Sequence, residues 1–138
     1  MERIERERII EVLEEVYRED VAGDPEDSFQ SFLADFDRTR DPELPVYWIA
    51  ETVIGAVEQL AGRKLGWYVE ALKDEWNFSG EFAFVLVDET GKCLTFSKTS
   101  DGYPTVSVIL PITSLDDAVA AVEYFLSLLR AEQDASNS

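Results

Sequence analysis

The sequence predicts an α+β domain: about four N-terminal helices, then a three-stranded antiparallel β-meander, then a C-terminal helix packed on it. Three observations carry the prediction. Apolar residues recur at three- and four-residue spacing up to residue 76, then at every second residue from 81 to 110, then at helical spacing again. Turn residues fall between these blocks. Finally, hydrophobic residues make up 46% of the 138 positions and aromatics 12%, which is core-building and unlike a disordered acidic chain.

The first helix is expected over residues 3–21, with Ile9 or Ile10, Leu13, Val16 or Tyr17, and Val21 on one stripe. Glu2 with Arg6 and Glu14 with Arg18 form i to i+4 pairs, and Gly23 ends the helix. Asp24 is the expected N-cap of a second, short helix with Pro25 at its first position, carrying Phe29, Phe32, Leu33 and Phe36 on one face. Prolines at 42 and 45 make residues 38–44 a loop. A third helix follows over 45–61, with Gly62 as its stop and Gly55 inside it, where a missing side chain would allow close approach of another element. A fourth is suggested over 65–76 by Leu65, Tyr68, Val69, Leu72 and Trp76, although Trp67-Tyr68-Val69 also reads as a strand.

Residues 81–88, 92–98 and 105–110 read as three strands, with turns at 89–91 and at 100–103, the latter holding an Asp-Gly hairpin signal. The first strand is apolar on both faces, whereas the others keep Thr95, Ser97, Thr105 and Ser107 at alternate positions. Ser114 caps the last helix, with Asp117 three residues on as an Asp variant of the capping box. The expected organisation is a single domain over 1–132, helical over 1–77 and meander plus closing helix over 81–132, with 133–138 a disordered tail.

Charge narrows the chemistry. The chain carries 29 Asp and Glu against 12 Lys and Arg and no histidine, a formal net charge of −17. Residues 1–45 hold about half of that excess. Such a surface repels phosphate backbones and anionic lipid and attracts cations and basic proteins. The absence of histidine removes the commonest general base and the usual triads. One cysteine, Cys93, allows no internal disulfide, and the charged N-terminus and lack of any apolar run near the roughly 20 residues of a membrane span fit a cytoplasmic protein.

Asp35, Asp37, Asp41 and Glu43 form the densest acidic group, but they lack the ligand alternation, central Gly and closing Glu of an EF-hand, so a solvated edge accounts for them. Glu51, Glu58 and Glu70 are the carboxylates best placed for partial burial, yet nothing singles out an acid and base pair. Cys93 reads as a structural cysteine, and no phosphate-cradling or nucleophile-elbow motif occurs. No catalytic residue, metal or cofactor is therefore expected.

The reading that remains is a non-catalytic acidic module that docks on a basic protein, with no direct nucleic-acid or membrane binding. It would use Glu11, Glu14, Glu15, Glu19 and Asp20 on the first helix, Asp35, Asp37, Asp41 and Glu43 beyond it, and Tyr47 or Trp48 as an aromatic anchor. Inhibitor or immunity-type, nucleic-acid-mimic and chaperone or adaptor roles all fit it. A small carboxylate- and divalent-metal-dependent enzyme is one alternative. A halophilic protein whose charge is salt adaptation is the other.

Overall fold

In the computed structural model, residues 4–35, 46–71, 82–88, 90–101 and 103–136 are described. Ile9, Val12, Leu13, Val16 and Tyr17 form a continuous buried stripe, and this stripe defines α1 (Arg6–Val16) and a π-helical turn (Tyr17–Val21) that extends it. The expected single α-helix therefore changes hydrogen-bond pattern at Tyr17, where the Ala22 N–H donates to the Tyr17 carbonyl at 2.7 Å. Gly23 follows at φ +68°, the left-handed conformation that ends the segment.

Helix α2 (Phe29–Asp35) starts later than Asp24-Pro25 predicts. Asp24 makes a local turn, with its carboxylate accepting the Glu26 N–H at 2.9 Å. Helix α3 (Trp48–Ala61) ends as expected at Gly62, φ +75°. Gly55 permits the α1–α3 crossing: a Cβ there would lie 2.7 Å from Val16 Cγ1, closer than side-chain carbons approach.

Within the fourth helix expected over 65–76, residues 68–71 form a strand instead, in line with the alternative reading of Trp67-Tyr68-Val69. β1 (Tyr68–Ala71) lies parallel to β2 (Phe82–Val87), in register Tyr68 to Phe84 through Ala71 to Val87. Gly66, at φ +69°, turns the chain out of the right-handed helical region just before it, and Tyr68 and Val69 favour a pleated ribbon. Leu72 and Trp76, also counted on the expected helix, lie outside the described residues.

β2 pairs antiparallel with β3 (Cys93–Ser100), and β3 with β4 (Tyr103–Pro111), so the predicted meander is present within a mixed sheet of order β1-β2-β3-β4. Ser100 faces Tyr103 across the tight turn, where Asp101 adopts φ +55° as the Asp-Gly signal requires. A bulge between Lys98 and Thr99 shifts the β3–β4 register near the turn.

α4 (Leu115–Ser136) closes the fold and runs into the stretch expected to be a disordered tail. Its N-terminus keeps the expected cap, with the Asp117 N–H donating to Ser114 Oγ at 3.2 Å. The Asp117 carboxylate reaches back to Thr113 rather than Ser114, accepting its N–H at 2.9 Å and its hydroxyl at 2.7 Å. These bonds hold the Asp117 carboxyl below its ordinary range.

The architecture is α+β, with α1, α2, α3 and β4 all in contact with α4. Val85, Val87, Leu94 and Phe96 of the sheet bury against Val119, Val122, Phe125 and Leu129 of α4. Phe96 and Phe125 meet edge-on at 5.3 Å, and Trp67 packs on both. Phe84 and Leu86, on the opposite sheet face, are buried as well, which explains why β2 is apolar throughout. Among the described residues no helix is long and apolar enough to cross a membrane.

Candidate docking face on the first helix

Glu11, Glu15 and Glu19 recur at four-residue spacing, so α1 and the π turn bring them to one side. With Arg18, Gly23 and Pro25 they line an open groove of about 490 Å³. Glu11 and Glu19 are exposed and Glu15 half-buried. Arg8 contacts Glu11 at 2.6 Å. Arg18 is turned to the protein: its Nε donates to the Asp27 carbonyl at 2.6 Å, and its Nη2 lies 3.5 Å from the Glu14 carboxylate. Part of the groove's positive charge is thus engaged from within.

Glu14 does not belong to this face. Its side chain is only 14% exposed, and its carboxylate accepts the N–H groups of Phe29 at 2.8 Å and Gln30 at 3.2 Å, and the Ser28 hydroxyl at 3.2 Å. A carboxylate from α1 therefore caps α2 across the helix–helix interface. The expected docking residue is a structural cap, because the first N–H groups of α2 need an acceptor and Asp24 lies too far upstream to supply it.

Asp20 is exposed but lines a different depression, of about 440 Å³, with Glu58, Gln59, Arg63 and Lys64. Asp35 is exposed at the end of α2. Asp37, Asp41 and Glu43 lie outside the described residues. Glu51 is exposed, Glu70 lies on β1, and Glu58 accepts the Leu65 N–H at 2.8 Å, pinning the segment between α3 and β1. Among the described residues, no group of three or more His, Cys, Asp or Glu side chains is placed to hold a metal ion.

Tyr47 and Trp48, one of which is the expected aromatic anchor, are both half-buried against the core. Trp48 packs on Phe32 with ring centroids 5.6 Å apart and on Tyr17 at 6.2 Å, completing an aromatic cluster with Phe29. Tyr17 is fully buried, and its hydroxyl contacts the Asp27 carboxylate at 3.0 Å. Burial first, then Asp27 and the nearby Glu14 and Asp24 carboxylates, hold its phenol protonated well above the usual range. Burial and the Asp88 carboxylate likewise raise the Cys93 thiol, which makes it a poor nucleophile.

Among the described residues, the large apolar side chains that face solvent are on β4: Tyr103, 74% exposed, and Ile109, 66% exposed. Residues 103–111 contain no charged side chain in a chain that is 30% charged. That contrast is the sequence signal for this second surface.

Comparison with protein-family models, curated proteins and solved structures yields no match to this chain.

Proposed function

We propose that this chain is a non-catalytic acidic module that docks on a basic protein through the groove of Glu11, Glu15 and Glu19. The observation that supports this reading is the groove itself. Three carboxylates spaced about 12 Å end to end along one helical face match a basic segment better than a compact anion. Arg18, held by Asp27 and Glu14, does not project its full charge into that space. Inhibitor or immunity-type, nucleic-acid-mimic and chaperone or adaptor roles would all use such a face, because each presents ordered negative charge to a cationic client.

A lysine-rich model peptide titrated by calorimetry tests the reading. Binding should weaken steeply between about 50 mM and about 500 mM NaCl, as expected for exposed charges separated beyond the screening length. The combined variant Glu11→Gln, Glu15→Gln and Glu19→Gln should lower the affinity by about tenfold or more at low salt. Glu123→Gln, on the exposed side of α4, should leave it within about twofold. Equal losses from both variants would refer the binding to net charge alone and remove the groove as the site.

A further inference from the structure

We propose that the free edge of β4 is a self-association surface, and that two copies of this chain pair there as antiparallel strands about a two-fold axis centred on Ser107. This goes beyond the acidic groove and rests on different residues.

β4 is the last strand of the sheet, and among the described residues its outer edge pairs with no other strand. Backbone direction follows from the β3–β4 ladder. The Ile112 N–H donates to the Lys92 carbonyl at 2.6 Å, so alternation makes Leu94–Leu110 and Phe96–Val108 hydrogen-bonded pairs. Thr95–Ile109 and Ser97–Ser107 are then the non-hydrogen-bonded pairs, in agreement with the 3.4 Å contact between the Ser97 and Ser107 hydroxyls. Ser107 and Ile109 consequently direct their N–H and C=O groups away from β3. The bulge leaves Thr105 without a β3 partner, and its side chain donates to the Lys98 carbonyl at 3.1 Å.

Thr105, Ser107 and Ile109 are symmetric about Ser107. An antiparallel copy centred there pairs Ser107 with its own equivalent through two backbone hydrogen bonds and sets Ile109 opposite Thr105. Pro104 and Pro111, which lack N–H groups, lie just outside these three residues on either side. The same register sets Val106 opposite Val108 on the inner face and the exposed Ile109 over Thr105 on the outer one.

Charge selects a second copy as the occupant. Soluble proteins usually guard long edge strands with lysine or other charges, and β4 has none. On β3 beside it, Thr95, Ser97 and Thr99 are also uncharged, Ser97 and Thr99 being buried, and Lys98 points to the other face, where it pairs with Glu132. A basic partner finds nothing to recognise there. Another copy of a chain at −17 meets its least repulsive approach at this edge.

Sedimentation equilibrium of the full chain tests the proposal. A monomer–dimer equilibrium is expected, tightening as salt rises from about 50 mM to about 500 mM because screening relieves repulsion between the acidic bodies. This is the reverse of the salt dependence expected for the acidic groove, so the two readings fail separately. Ile109→Lys, at an exposed position, should raise the dimer dissociation constant by about tenfold or more with an unchanged far-ultraviolet circular dichroism spectrum. Ser107→Pro removes the central N–H and should do the same. Amide exchange at Thr105, Ser107 and Ile109 should slow as protein concentration increases. A chain that stays monomeric at high salt and about 1 mM, or a dimer untouched by Ile109→Lys, would overturn the proposal.

Discussion

Glu14 and Glu15 are neighbours of the same type with different tasks, and only their angular position on α1 separates them. Glu14 turns toward α2 and satisfies its first N–H groups, whereas Glu15 turns to the groove. Removing a charged acceptor from a partly buried helix start leaves the Phe29 donor unpaired, so Glu14→Ala should cost about 1–2 kcal/mol of stability. Glu15→Gln should stay within about 0.5 kcal/mol. Urea unfolding with unchanged m-values measures both. A Glu14→Ala variant as stable as the parent would remove the cap from this account. Trp48 shows the same dependence on position, since packing on Tyr17 and Phe32 holds it half-buried against the core.

At the scale of elements, the meander and α4 were legible because their signals are local. Period-two patterning, the Asp-Gly turn and the Ser114 cap are each complete within a few residues. β1 was less legible. Four residues are too few to show a period, and its identity depends on β2, which follows it by ten residues outside the described set. The late start of α2 was hidden for a similar reason: Glu14 of α1 accepts its first N–H groups, beside the local contact from the Ser31 N–H to Ser28 Oγ.

The cap of α4 carries a pH dependence. The folded-state pKa of Asp117 is lowered by its bonds to Thr113 and Ser114, so the stabilisation is present above the unfolded value near 3.8 and is lost as pH falls through the folded one. Asp117→Asn should therefore destabilise the protein at pH 7 and have a progressively smaller effect as pH falls and the parent carboxyl takes up its proton. Thermal unfolding followed across that range reads the difference. An equal loss at both ends would show that the carboxylate charge is not what the cap uses.

For the whole molecule, the excess negative charge and the uncharged β4 edge divide the surface by character. The first 45 residues hold about half the net charge, and residues 103–111 hold none. Self-repulsion of a −17 chain opposes its compact state, and salt screens it. The melting temperature should rise by about 5 °C between low salt and about 0.5 M NaCl, measured by circular dichroism. A chain that folds only in molar KCl would instead assign its acidity to salt adaptation.

The sequence by itself determined the α+β class, the three meander strands, the helix ends at Gly62 and Ser114 and the acidic bias of the first third. These depend on local periodicity, backbone conformation and composition, all of which are properties of contiguous residues. Only the tertiary structure decided that Glu14 is a cap, that Trp48 packs half-buried against the core, that residues 68–71 join the sheet and that β4 is the last strand of the described sheet. Each depends on what lies opposite a residue in space, and burial and hydrogen-bond partners come from segments distant along the chain.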